Sequence, residues 1–509
     1  GLPRQIIGMI KPLRHPKPSF FVHVQAKKGM KGDKFSISLY AHLSIHMPLE
    51  NVHTKNTKND GGTTMQHRKL LSPFRLIILA YALLIFLGGT VLYLPLSHRP
   101  EVDLTFMDAL FTAASAVTVT GLTVVTPSEA FSPFGLIVLS LLIQLGGIGI
   151  MSLGTVIWLV TGQKINLSQR ILIMVDQNQF KISGLVSLIK NILILVLVIE
   201  LAGAILLSFR YLAYFDSFGE ALIHGAFASL SAFTNSGFDL TGRSLQPFAQ
   251  DFFILAVTVL LIVAGAIGFP VLVEVKEYLS SKKKGYRFSL FTKVAASTYL
   301  LLVILGGIII WLLEGENSFS KHSGLEGILY ALFYSVTSRS AGLSISDVAH
   351  FQESTLFFLS GLMIIGASPS SAGGGIRTTT LAVMLLAIFS FARGRREVRL
   401  FGRELHQDDI RRAFVVLSLF VVLWFTAVVL IASCEKDIPF VDLLFEVSSA
   451  FGTCGLSTGI TGELSTASRW VLMFLMFTGR IGLVVLLFSL KRTDAEPRYH
   501  LPKERVIIG

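Results

Sequence analysis

The sequence predicts an all-α membrane protein of four tandem repeats, each a span, a half-span and a second span: eight transmembrane helices and four re-entrant helices around one axis. Three observations carry this reading. The 509 residues are 52% hydrophobic and only 15% charged, with a mean hydropathy of +0.66, where soluble domains are about 25% charged. Apolar runs long enough to cross a bilayer recur along the chain. Between them a short, small-residue-rich segment ending in glycine returns four times. The two cysteines, Cys434 and Cys454, make no disulfide framework.

Residues 1–64 stand apart. They hold ten Lys/Arg against three Asp/Glu, so most of the net charge of +12 sits in this stretch, not in a nucleic-acid-binding body. They lack the apolar core of a signal peptide. The expectation is a basic, disordered extension that is dispensable, with Met65 as the natural start. From there the apolar runs are 76–94, 134–160, 192–209, 252–275, 294–313, 355–365 continuing at 380–392, 413–432 and 470–490. Only the sixth is expected to be broken, by a Gly/Ser/Thr insert at Gly366–Thr379.

The intervening segments 106–117, 219–233, 324–336 and 441–451 are too short to cross and have the length of re-entrant helices. The glycines after them, Gly121, Gly237, Gly342 and Gly455, are spaced by 116, 105 and 113 residues. A second marker follows 24–28 residues later: Gly146-Gly147-Ile148-Gly149, Gly265-Ala266-Ile267-Gly268 and Gly479-Arg480-Ile481-Gly482, with Gly366 at the same offset in the third repeat. These registers divide the chain into repeats at 65–160, 185–278, 291–392 and 410–490, followed by a tail at 491–509. Loops between repeats carry three, five and seven Lys/Arg and the tail five, whereas the eight segments flanking the half-spans share six. By the positive-inside bias, both termini and the inter-repeat loops are cytoplasmic and the half-spans enter from outside.

Non-helical backbone survives at membrane depth only where protein or water satisfies it. Four such stretches on one axis make a span–pore-loop–span architecture whose carbonyls replace an ion's hydration shell. The stretches are Val119-Thr120-Gly121, Asn235-Ser236-Gly237, Ser340-Ala341-Gly342 and Thr453-Cys454-Gly455, and none contains a carboxylate. The negative C-terminal ends of the half-span helices favour a cation there. That combination points to a carbonyl-lined site for a monovalent cation. Cys454 reads as a small filler, not a redox group.

Pro369 and the run Gly373, Gly374, Gly375 forbid a stable helix through the third-repeat insert. Gly366, Ala367 and Ser368 open this insert, which should lie under the four glycine segments, held by weak, reversible contacts. There it either obstructs the path or is a static packing loop. Arg480, in an otherwise apolar span, costs at least ~2.5–3.5 kcal/mol to insert and occupies the position of Gly147 and Ala266. It is expected to face the axis and donate to the insert's carbonyls, or else to act as a structural tether. Arg339 either braces the third segment or snorkels outward, and Glu200 receives no role. No Walker A, HExxH or GxSxG pattern is present, so no enzyme or ATP-driven pump is expected.

The pieces TVTGL, NSGF, SRSAGL and TCGL, with GASPSSAGGGIRTTT and GRIG, resemble the Trk/Ktr/HKT superfamily of potassium transporters. From about Met65 onward, the compact length and short tail are similar to the membrane subunit of bacterial Ktr systems. The resemblance implies potassium uptake, often sodium-dependent, by a homodimer in the cell membrane with one pore per subunit. It also implies a cytoplasmic ring of nucleotide-binding regulatory subunits, to which the Arg-rich loop 393–412 would dock. Potassium is then the substrate and sodium an activating ion, with no cofactor held in this chain and no nucleic-acid partner. Glycine at all four places, Gly121 included, implies potassium preference, and the third-repeat insert would be a gate. A sodium-selective relative and a non-conducting structural subunit are the alternatives.

Overall fold

The computed structural model describes residues 72–149, 167–176, 184–280, 286–320, 324–395 and 397–490, with residues 502, 504 and 507. The expectations for residues 1–64, for Met65 and for most of the tail lie outside them.

Each repeat opens with a long apolar helix. These first helices are Pro73–Tyr93, Leu185–Tyr211, Leu290–Glu314 and Gln407–Cys434. All four are long and apolar enough to cross a membrane. Their bare sides carry large exposed side chains such as Leu83, Leu201, Leu301 and Phe425, the surface a lipid-facing helix needs. The fourth starts at Gln407 and not at 413, because its first two turns bear Asp408, Asp409, Arg411 and Arg412. Those charges hide a helical turn from a hydropathy reading. Before it, Arg399–Leu400 and Arg403–Glu404 pair as a two-stranded hairpin within the Arg-rich loop.

The half-span helices are Phe106–Val117, Phe218–Thr234, Gly324–Thr337 and Phe440–Gly452. Thr105 starts the first through a capping box with Asp108. Every residue from Ala109 to Val117, and from Leu443 to Gly452, is buried. A helix buried on all sides lies inside a protein, and the first and second helices supply the surround.

The second helices depart from expectation. Only the sixth run was expected to break, yet Phe252–Ala266 and Phe269–Ser280 meet at 107°, and Thr466–Ile481 and Leu483–Leu490 at 94°. Pro133–Ile148 likewise ends at Gly149. The physical reason is the last glycine of the marker: Gly149, Gly268 and Gly482 take φ of +95°, +104° and +92°, a left-handed conformation that ends a helix cheaply only at glycine. Apolar content continues across the bend, so hydropathy does not register it. In the third repeat Glu353–Ile364 and Thr378–Ala392 flank the insert.

The repeats close on themselves. Arg469 of repeat four pairs with Asp108 of repeat one at 2.7 Å, and Arg75 Nε donates to the Ser489 carbonyl at 2.8 Å. Repeats two and three join where Leu245 N–H donates to the Ser344 carbonyl, and Ser344 N–H to Ser244 Oγ, both at 2.9 Å. Both ends of the Arg469–Asp108 pair are mostly buried, at 17% and 14% exposure, so removing one leaves a partly buried charge unpaired. Asp108→Asn should cost about 2 kcal/mol, read as a lowered melting temperature in detergent. An unchanged melt would mean that packing alone closes the seam.

Candidate functional site: a ring of four glycine segments

The four glycines form a closed ring in chain order. A Cβ on Gly121 would strike the Ser236 carbonyl oxygen, one on Gly237 the Ala341 oxygen, one on Gly342 the Cys454 oxygen and one on Gly455 the Thr120 oxygen. Each glycine thus packs on the carbonyl of the residue just before the next repeat's glycine. Any side chain would push two quadrants apart.

Backbone handedness is equally regular. The glycines have φ of +92°, +71°, +67° and +98°, and the residue two before each, Val119, Asn235, Ser340 and Thr453, is also at positive φ. The amides of Thr120, Ser236 and Cys454 donate back to the carbonyls of Ser115, Ser231 and Ser449 at 2.8–2.9 Å. Gly121 and Gly455 N–H donate to the hydroxyls of Ser115 and Ser449, both at 3.0 Å. In a trans peptide the N–H and C=O point in opposite directions. With the amides fastened to the helix, the carbonyls of Val119, Thr120, Asn235, Thr453 and Cys454 face away from it, those of Thr120 and Cys454 toward the neighbouring glycines. Among the described residues no group of three His, Cys, Asp or Glu gathers to hold a metal ion.

The insert lies against this ring. A Cβ on Gly373 would meet Ser340 Oγ, and one on Gly374 the Thr453 side chain. Its contacts are more numerous than its composition led us to expect. Ser368 and Ala372 N–H donate to the carbonyls of Ala266 and Gly265 at 2.9 and 3.1 Å, and Phe269 N–H to the Ser370 carbonyl at 2.7 Å. Internally, Ala367 N–H reaches the Gly374 carbonyl at 3.3 Å. Gly366 abuts Gly374 and Gly375, and Gly268 the Pro369 carbonyl. A glycine-rich stretch exposes amides and carbonyls, and the bent second helix of repeat two satisfies several of them. Arg480 donates to the Ala372 carbonyl of the insert and to the carbonyls of Gly146 and Gly147, the last at 2.9 Å.

Comparison with known proteins decides the family. The TrkH family model, described as a cation transport protein, matches residues 55–495. The chain belongs to the TrkH cation transport family. It is 51% identical to Ktr system potassium uptake protein D of Bacillus subtilis, over 86% of this chain and 98% of that one. It is 35% identical to potassium/sodium uptake protein NtpJ of Enterococcus hirae, over 87% and 98%. The crystal structure of the potassium transporter TrkH from Vibrio parahaemolyticus shares the fold, with a TM-score of 0.66 at 20% identity over 84% of this chain and 86% of that one. The family match begins ten residues before Met65, so 55–64 fall inside a resemblance that was expected to leave them out.

Within this family fold, the ring geometry exposes residues that sequence reasoning missed. The helix serines Ser115, Ser231 and Ser449 lie six residues before their glycines, an offset readable in the repeats. Arg377 was overlooked because it sits among the polar residues of the insert. It donates to the carbonyls of Gly373 and, at 3.4 Å, Ser368. With Arg480, Ser370, Ser371 and Gly149 it lines a cavity of about 30 Å³, room enough for a water. Cys454 is buried, with Sγ 3.5 Å from the Thr337 carbonyl. Glu200 accepts a hydrogen bond from Gln144 at 2.9 Å, between the second helix of repeat one and the first helix of repeat two.

Arg339 is fully buried, so it does not snorkel. Its guanidinium lies 3.9 Å over the Tyr299 ring. It donates to the carbonyls of Tyr299 at 2.9 Å and Ser335 at 3.3 Å. Arg339→Met should therefore cost about 2 kcal/mol in thermal unfolding. Arg339→Lys should not restore it, since an ammonium lacks the planar fork that spans two acceptors. A lysine variant as stable as the parent would refute the brace.

Proposed function

We propose that this chain takes up potassium ions across the cell membrane along the axis of the glycine ring. The observation that carries the reading is the ring itself: four glycines, each on its neighbour's carbonyl, with peptide oxygens turned across the axis. Oxygen dipoles so arranged replace the hydration shell of a monovalent cation. The relatives named above as potassium uptake proteins support the choice of potassium. Val119 to Gly121, Asn235 to Gly237, Ser340 to Gly342 and Thr453 to Gly455 would form the selectivity filter. The ion gradient and membrane potential drive the flux, with sodium as an activating ion and no cofactor in the chain.

The insert is the proposed gate, since it packs under Ser340 and Thr453 and is fastened by Arg480. Both termini are read as cytoplasmic from the charge bias of the loops. The chain would work as a homodimer under a cytoplasmic nucleotide-binding regulatory ring. The Arg-rich stretch around the 399–404 hairpin would be its docking surface.

Two measurements test this. In cells lacking other potassium uptake, Gly121→Ser should lower the potassium/sodium flux ratio about tenfold, or ~1.4 kcal/mol of lost discrimination, because its side chain meets the Ser236 carbonyl. A folded variant with the parent's ratio removes Gly121 from the filter. Separately, Arg480→Ala and deletion of Gly366–Thr379 should each raise unregulated flux, normalised to membrane protein, by roughly tenfold. The reason is that charge-assisted hydrogen bonds holding the insert are each worth about 1.5–3 kcal/mol. If neither variant exceeds the parent, the insert is a static packing loop.

A further inference from the structure

We infer that Glu446 is a positioning residue for the fourth quadrant of the ring, acting through the hydroxyls of Ser457 and Thr461. The inference rests on the proposed reading of the ring as a cation filter. Glu446 lies in the middle of the half-span helix Phe440–Gly452 and is 1% exposed. No Lys, Arg or His among the described ion pairs reaches it. One carboxylate oxygen accepts the Ser457 hydroxyl, the other Thr461 Oγ1 at 3.1 Å. Ser457 stands two residues past Gly455, and its Oγ also accepts Gly459 N–H at 2.8 Å. The chain then turns at Gly459, φ +97°, into the short helical turn Ile460–Gly462. One carboxylate thus ties the segment leaving the ring to the helix that enters it.

Burying a carboxylate without a cation costs several kcal/mol, so packing alone does not account for this side chain. The repeats sharpen the point. The residue nine before the glycine is Thr112 in repeat one and Ala228 in repeat two. Repeat three holds its outgoing segment with Tyr334, whose hydroxyl lies 2.7 Å from Ser346 Oγ and accepts Ser346 N–H at 2.9 Å. Repeat two uses Asp239, which accepts Thr241 and Ser244 N–H at 2.9 and 3.0 Å. In repeat four a carboxylate of the half-span helix itself reaches the outgoing segment. Two acceptors on one rigid group suit two hydroxyl donors; glutamine of the same size offers one acceptor and a competing donor.

The test uses the full chain in liposomes with two readouts: the potassium/sodium flux ratio, and hydrogen exchange of the amides in 456–462. Glu446→Gln keeps the volume and so keeps the fold. It should speed exchange in 456–462 and lower the flux ratio about tenfold, or ~1.4 kcal/mol. Ser457→Ala/Thr461→Val should do the same, and the triple variant should add nothing, since residues of one network are not additive. Unchanged exchange, an unchanged ratio, or additive losses in the triple variant would overturn the inference; additivity would mean that the carboxylate acts on the ion without the hydroxyls. A parent that moves no potassium refutes the proposed function instead, and the exchange measurement then decides the brace alone.

Discussion

Away from water, every backbone amide and carbonyl that leaves a helix has to find a partner. That constraint shapes the centre of this protein. Beyond each half-span helix the chain abandons helical geometry for a few residues. In repeats one and four it returns successive amides to the same serine, first to its carbonyl and then to its hydroxyl. Spending the donors on the helix commits the oxygens to the opposite side. The alternation of left-handed positions, Val119 and Gly121 or Thr453 and Gly455, is the backbone's way of doing both at once. The ring of oxygens is a consequence of donors that had nowhere else to go.

The surrounding helices follow from the ring. Gly146, Gly265 and Gly479 press on the carbonyls of Val117, Phe233 and Phe451, each four residues before its glycine. A larger residue would hold the second helix off the end of the half-span helix. In an apolar solvent, helices associate through close contact and small residues, and here the contact sits where the half-span helix ends. The bend that follows at Gly268 and Gly482 turns those second helices away once that contact is made, and Gly149 ends the corresponding helix of repeat one. The markers seen in the sequence are therefore two parts of one device, a close approach and a turn.

Much of this was legible in advance because the repeats supply their own internal comparison. Glycine at a fixed place after each half-span, and again at a fixed offset in the next span, marks positions where a side chain is excluded. The bends were not legible: a left-handed glycine inside an apolar run changes direction without changing hydropathy. The turn that begins the fourth repeat was hidden for the converse reason, since Asp408, Asp409, Arg411 and Arg412 are helical but charged. Arg377 is hidden among the polar residues of the insert and Glu446 inside a short half-span helix, and each occurs in a single repeat.

Those solitary residues are where fusing four repeats into one chain matters. At the offset where three repeats carry a glycine marker, the third has the insert, and it packs against Ser340 and Thr453. Four symmetric copies would crowd the same axis, so a loop there requires the other repeats to be compact at that level. Repeat two is compact and offers the Gly265 and Ala266 carbonyls as acceptors. Repeat one offers the Gly146 and Gly147 carbonyls to Arg480, which repeat four places where the others have Gly147 and Ala266. One arginine thereby joins the insert to the helix end of repeat one, a link that a homotetramer could make only by having all four. The near-fourfold symmetry builds the ring, and the departures from it hold a single asymmetric loop beneath.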